Sequence, residues 1–212
     1  MKTLFIEAKS KSSIEGLLDK VEYEGKIGLI TTIQHLHLLP SVKKKLKDSV
    51  IGGQVLGCDV SNAVKIAKKV DCFLFIGSGN FHPIQAAMKT NKRVIILDLF
   101  SGNVSEVSAE DIEKRKRRIR AGYAHFLNAN KIGILVSSKT GQNQMKAAEF
   151  LKKSLLKQGK KAYIFVFDTL DFNQLGNFPD IESWVNTACL RMAIEDYDKF
   201  PKSVVNLSDL PL

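Results

Sequence analysis

The side chains best suited to chemistry in this chain are thiols. Its three cysteines are an odd, sparse set, unlike a disulfide framework, and none falls in the Cys-x-x-Cys pairing of zinc ribbons or thioredoxin-like sites. Cys58 and Cys189 each close an apolar β-type run, Gln54-Val55-Leu56-Gly57 and Trp184 to Ala188. Ligands of open α/β sheets collect outside the carboxyl ends of strands, so a thiol there is placed for chemistry. Thiolates from separate units can hold an iron–sulfur cluster, and a cluster that also binds substrate needs three thiolates and one open iron. Cys72 begins a strand run, faces the opposite sheet edge and reads as a buried structural thiol. The histidines form no metal set. His35 and His37 lie two apart near a helix start and point to different faces. No catalytic residue can be assigned.

Two loops add polar groups beside such strand ends. Ser137-Ser138-Lys139-Thr140-Gly141-Gln142 follows an apolar run and is predicted to enter a helix at Gln142. Hydroxyls and backbone N–H groups at a helix N-terminus suit a carboxylate or phosphate. The loop is not a Walker sequence, because the second glycine and the Gly-Lys-Ser/Thr ending are absent. Gly77-Ser78-Gly79 is similar and lacks the full dinucleotide fingerprint. His82 follows it and suits either the lining of a pocket or a cap. Either loop also fits an ordinary strand-to-helix turn.

These residues need strands to carry them. Apolar runs at 26–32, 54–57, 72–76, 93–99, 131–138, 161–167 and 184–188 read as strands, with weak ones at Leu4-Phe5-Ile6 and Val204-Val205. Helical spacing marks Ile14 to Val21 behind Ser12 and Ser13, Leu36 to Leu46, Asn62 to Val70, His82 to Met88, Ser108 to Leu127 and Gln142 to Leu156. Pro40 is tolerated only in the first turn of its helix. Strands that are continuous apolar runs alternating with helices mean parallel sheets covered on both faces.

The sequence repeats. Lys26-Ile-Gly-Leu-Ile-Thr-Thr resembles Lys131-Ile-Gly-Ile-Leu-Val-Ser-Ser, and each precedes an amphipathic helix and another strand. The fold class is therefore α/β, with two repeated Rossmann-like units, 1–107 and 108–212, the second entered by a long connector helix. Each unit has one thiol at a predicted strand end, which suggests corresponding places and convergence on a shared site. Coincidence between common α/β patterns would give the same picture.

Composition narrows the setting. With 212 residues and 44% hydrophobic content the chain can bury a real core. No apolar run reaches the roughly 18 residues of a membrane helix. Glu7 interrupts the opening apolar stretch, so export is not expected, and few cysteines suggest a reduced, cytoplasmic setting. A net charge of +10 favours an anionic partner or merely solvated lysine-rich helix faces, such as Lys114 to Arg120. Nucleic acid is not the expected partner.

Four blocks taken together, Gly53–Asp59, Phe75–Pro83, Ser138–Gln142 and Asp180–Cys189, resemble the diphthamide synthase, or 2-(3-amino-3-carboxypropyl)histidine synthase, family. The resemblance implies a three-unit fold with one cluster-binding cysteine per unit. It implies a 4Fe–4S cluster that binds S-adenosylmethionine at its open iron. Reductive cleavage then yields a 3-amino-3-carboxypropyl radical that adds to a histidine of elongation factor 2. Cys58 and Cys189 match two of the three ligands. Ser137, Ser138, Gly141, Gln142 and Arg191 match positions near the cofactor's amino-acid end, and Gly77, Ser78, Gly79 and His82 are further cofactor candidates. The family's first unit, with the first cysteine, has no counterpart here, so the expected assembly is a homo- or hetero-oligomer with a subunit supplying it. Where the family carries Cys-Pro-Arg the chain has Cys189-Leu190-Arg191, which removes a fixed φ and should loosen the turn. Two rival readings are a non-catalytic partner subunit that binds elongation factor 2 or a catalytic subunit, and a nucleotide-binding domain using the Gly77–Gly79 loop.

Overall fold

The computed structural model of the protein describes Leu4, Ile6 and residues 8–211. The chain divides into two compact units, Met1–Glu113 and Lys114–Leu212.

The first unit is built on β1 (Ile27–Thr31), β2 (Ser49–Gln54), β3 (Cys72–Ile76), β4 (Arg93–Asp98) and β5 (Asn103–Glu106), in the order β2-β1-β3-β4-β5. The first four strands are parallel and β5 returns antiparallel to β4. Every residue of β1 and β3 is buried, which is why both read as unbroken apolar runs. Alternation then splits them between faces. Ile27, Leu29, Leu74 and Ile76 pack with Leu39 and Val42 of α1 (Leu39–Lys45). Ile30, Phe73 and Phe75 pack with Ala63 of α2 (Ser61–Ile66) and with Ala86 and Ala87 of α3 (Phe81–Thr90).

The second unit contains β6 (Lys131–Ser137), β7 (Lys161–Phe167), β8 (Ser183–Asn186) and β9 (Val204–Asn206), all parallel, in the order β7-β6-β8-β9. One face lies under Phe126 of α4 (Ala109–Asn128) and under Ala148, Leu151 and Leu155 of α5 (Met145–Lys157). The other face, with Leu135, Trp184 and Val204, is covered by Leu175, Ile181, Ala193 and Phe200 from turns and irregular chain.

Both units thus run second-first-third-fourth, and the repeat read from the sequence is a structural one. Its glycines show why it persists. Gly28 lies opposite Phe73 and Gly133 opposite Trp184. A Cβ on Gly28 would sit 2.7 Å from the Phe73 ring, and one on Gly133 2.3 Å from the Trp184 ring. In each unit, a side-chain-free residue on the first strand makes room for an aromatic ring on the third.

Several sequence expectations need correction. Ile14 to Val21 forms no α-helix, only a 3-10 turn at Leu18–Lys20; Gly16 takes φ +68° and breaks the path, although Ile14, Leu18 and Val21 are buried as expected. Leu4 and Ile6 are exposed and lie in no strand, and Phe5 falls outside the described residues. The second strand is Ser49–Gln54, earlier than predicted, because Gly52 and Gly53 hide the run while Val55 and Leu56 mimic its end. The first sheet is not purely parallel, β5 being too short and polar to register as a strand. Pro40 does fall in the first turn of α1.

Candidate functional site

In sheets with this strand order, ligands bind at the carboxyl ends where the order reverses. The reversal lies between β6 and β8 in the second unit and between β1 and β3 in the first.

In the second unit, β8 ends at Asn186 and the chain turns through Thr187, Ala188 and the half-buried Cys189. Thr187 donates its backbone N–H (3.1 Å) and its hydroxyl (2.7 Å) to the Leu135 carbonyl, tying this turn to β6. Asn186 Nδ2 donates to the Cys189 carbonyl at 2.9 Å and Asn186 Oδ1 accepts from Ala188 N at 3.1 Å. Asn206 Nδ2 donates to the Leu190 carbonyl at 3.3 Å. The turn that Leu190 was expected to loosen is therefore held by amide side chains. Arg191 is exposed, and its guanidinium binds Glu195 at 2.8 and 2.5 Å.

The Ser137–Gln142 loop leaves the neighbouring strand at the same edge. Ser137 is buried and its hydroxyl accepts from Lys139 N; Ser138 N donates to the Phe167 carbonyl, and Ser138 Oγ to Asp168 at 3.2 Å. Gly141 takes φ +83°, a conformation that favours glycine. The helix opens at Met145, not at Gln142, so Gln142 sits in an exposed loop and its N–H is bonded to the Lys139 carbonyl. The loop does not meet a helix start at Gln142; what it offers is an exposed polar rim. Beside it lies a cavity of about 430 Å³, lined by Phe165, Phe167, Leu175 and Phe178 together with the polar Thr169, Asp171 and Gln174.

In the first unit, Cys58 is exposed in the loop that follows β2. Leu56 and Asp59 exchange backbone hydrogen bonds across it. The Ser61 amide and hydroxyl hold the Asp59 carboxyl below its usual range. A Cβ on Gly57 would fall 1.6 Å from the Phe81 ring, so this loop rests on the first residue of α3. Cys58 is thereby brought beside the segment Gly77–His82. There, Ser78 Oγ donates to Asp98 at 2.6 Å, and His82 stacks on Phe75 at 5.9 Å. Burial would raise the Asp98 carboxyl, but Ser78 and the amides of Phe100 and Ser101 together hold it low. The Thr32 hydroxyl and His35 Nδ1, both buried without a hydrogen-bond partner, lie at the end of β1, and Thr32 faces Gly77.

The two thiols do not occupy corresponding strand ends. Cys58 follows the second strand of its unit and Cys189 the third, where matching Phe73 with Trp184, the cross-strand partners of Gly28 and Gly133, sets Ser78 opposite Cys189. The expectation fails on strand order: counted from the repeated runs at Lys26 and Lys131, the run before Cys58 is the second of its unit and the run before Cys189 the third of its own. Cys72 is the first residue of β3 and buried, at the edge away from these loops, and burial pushes its thiol up. As ligands, Cys58 and Cys189 fit thiolate coordination: both reach solvent at carboxyl ends of strands. The set is one short of the three that a substrate-binding cluster needs, and no group of three or more metal-binding side chains occurs among the described residues. Sequence reasoning missed Thr32, Asp98, Asn186 and Asn206.

Two α/β units of the same strand order, each with a thiol at the carboxyl edge of its sheet, define the class of this protein. The chain belongs to the family whose model is described as "Putative diphthamide synthesis protein", which matches residues 1–211. It is 33% identical to a 2-(3-amino-3-carboxypropyl)histidine synthase of Pyrococcus horikoshii, over 99% of this chain and 65% of that protein. It is 30% identical to the enzyme of the same name from Methanocaldococcus jannaschii, over 100% of this chain and 62% of the relative. The crystal structure of Dph2 from Pyrococcus horikoshii superposes with a TM-score of 0.82 at 29% identity, covering 95% of this chain and 62% of that one. A second crystal structure of that protein contains a 4Fe-4S cluster and matches with a TM-score of 0.76 at 31% identity, covering 92% of this chain and 58% of that one. The chain thus spans somewhat under two thirds of the relatives it matches. No described helix is long and apolar enough to cross a membrane.

Proposed function

We propose that this chain acts in the first step of diphthamide biosynthesis, the transfer of a 3-amino-3-carboxypropyl group from S-adenosylmethionine to a histidine of elongation factor 2 in the cytoplasm. The observation that carries this reading is a thiol on the ligand-collecting edge of each unit in a chain related along its length to histidine synthases. Cys58 and Cys189 each supply a thiolate to a 4Fe–4S cluster, and a third comes from another subunit or copy. Bound and reduced, that cluster would supply the electron that cleaves the bond from sulfur to the aminocarboxypropyl carbon. Ser137, Ser138, Gly141 and Gln142 hold the amino-acid end of S-adenosylmethionine. Arg191 exchanges Glu195 for the cofactor's carboxylate, a charge-assisted contact of the same kind. Gly77, Ser78, Gly79 and His82 line the same edge of the first unit.

Anaerobic purification followed by iron and sulfide analysis tests this, with the chain alone and mixed with candidate partner subunits. The expected result is little iron alone, and both the brown chromophore and group transfer on mixing, each lost in Cys58→Ala and Cys189→Ala. Full iron and transfer from the isolated chain, unchanged in both variants, would overturn the assignment. The ligand count also favours a second reading, a non-catalytic subunit; transfer by a mixture that survives both substitutions would support it.

A further inference from the structure

The cross-strand pair Asn186–Asn206 occupies a place where the first unit carries Phe75 opposite Ile96. All of these residues are buried; Asn186 is 0% and Asn206 1% exposed. An amide in such a position is unfavourable unless it is bonded, and an apolar pair in the same fold shows that the fold does not need amides there. Both amides are bonded, and much of their bonding is to one turn. Besides its contacts to Cys189 and Ala188, Asn186 Nδ2 donates to Asn206 Oδ1 at 2.7 Å. Asn206 Nδ2 divides between the Leu190 carbonyl and Asp209, each at 3.3 Å. The chain just beyond is held from α4, where Arg118 donates to the Ile194 carbonyl at 2.9 Å and stacks on Tyr197.

We propose that Asn186 and Asn206 are positioning residues for Cys189: they fix the carbonyls on both sides of the Cys189–Leu190 bond, and with them the direction in which the thiol leaves the turn. This rests on the reading of Cys189 as a metal ligand. A rigid turn matters for such a ligand because it has no nearby cysteine with which to chelate.

The test is iodoacetamide labelling of the metal-free chain, read peptide by peptide, with Cys58 as the internal reference. Asn206→Leu removes the donor to Leu190. Asn206→Asp keeps the shape but sets an acceptor against that carbonyl. Both should speed labelling of Cys189 about tenfold, the scale of losing a buried hydrogen bond that restrains local opening, while Cys58 is unchanged and Trp184 fluorescence stays native. In the unaltered protein, Ala188 N–H should exchange slowly, a check that needs no variant. Unchanged Cys189 labelling in a folded variant, or fast exchange at Ala188, overturns the proposal. Iron uptake by the unaltered chain with its partner is a separate readout. If uptake fails while the labelling effect holds, the ligand reading falls and the positioning of the turn stands.

Discussion

The two units share a sheet order and differ in what they place at its carboxyl edge. In each, a glycine on the first strand accommodates an aromatic ring on the third, and a threonine hydroxyl ties those strands together at their ends. The ties run in opposite directions: Thr31 of β1 donates to the Ile76 carbonyl of β3 at 2.6 Å, whereas Thr187, following β8, donates to the Leu135 carbonyl of β6 at 2.7 Å. Beyond these ties the units diverge. The first has an apolar Phe75–Ile96 pair, a serine opposite the other unit's cysteine, and its thiol one strand further out. The second has the amide pair and puts its thiol at the reversal of strand order. The shared part is packing, and the part that differs carries the polar and reactive groups, so duplication of the frame did not duplicate the site.

The strongest test of the shared frame is removal of the rings. Trp184→Ala and Phe73→Ala should each cost about 3–5 kcal/mol, the range for deleting a large buried aromatic. Trp184 is the sole tryptophan, so the loss in the second unit needs circular dichroism or amide exchange as its readout. A cost below about 1 kcal/mol at either position would break the equivalence, since a ring that fills its glycine notch cannot be dispensable.

Smaller effects follow from closing the notch. Gly133→Ala and Gly28→Ala should each cost about 1–3 kcal/mol by overpacking, with Gly133 the worse because its added carbon lies closer to the ring. Trp184→Phe should relieve Gly133→Ala in a double-mutant cycle measured by urea unfolding. Strict additivity would show that the two residues do not meet. Loss of the threonine ties comes next: Thr31→Val and Thr187→Val should each cost about 1 kcal/mol, as for one hydrogen bond. Thr187→Val should be the milder, because the Leu135 carbonyl keeps the Thr187 N–H.

Much of the frame was legible in the sequence because buried parallel strands leave continuous apolar runs. Cys72–Ile76 and Lys161–Phe167 were placed to the residue. The repeat was visible for the same reason. What failed were elements whose signal is not hydrophobic: β5, with Asn103 and Glu106 at its ends, and β2, with its paired glycines. At the site, the cysteines and loops could be named from residue type alone. The asparagine pair could not, since its meaning depends on β8 and β9 lying in register. Alignment of the sequence on Gly28 and Gly133 would not have flagged it, because that offset sets Asn186 against Phe81; only the pairing of Gly28 with Phe73 and of Gly133 with Trp184 sets Asn186 where the first unit has Phe75. Lys114 to Arg120 is only partly the solvated face expected, as Arg115 is buried and Arg118 holds the chain after Arg191.

The smallest predicted effect separates the units by pH. His35 belongs to the first unit; it is buried at the end of β1, and burial first, then the neighbouring His37, lowers its pKa from the ordinary value. Its Nδ1 has no partner to welcome a proton. A group whose folded pKa is depressed contributes stability that is fully present above its unfolded pKa, near 6.5 for histidine, and lost as pH falls toward the folded value. From pH 7 to 5 the first unit should therefore weaken, read as lower protection of the amides of β1 and β3 after division by their intrinsic exchange rates at each pH, while β6 and β8 change less. Asp98, also depressed, acts only in the more acidic carboxylate range and does not blur this window. His35→Gln keeps a polar side chain that does not titrate, and should flatten the response of the first unit between pH 7 and 5. An unchanged slope in that variant would remove His35 from the account and leave the difference between the units one of packing and ligands alone.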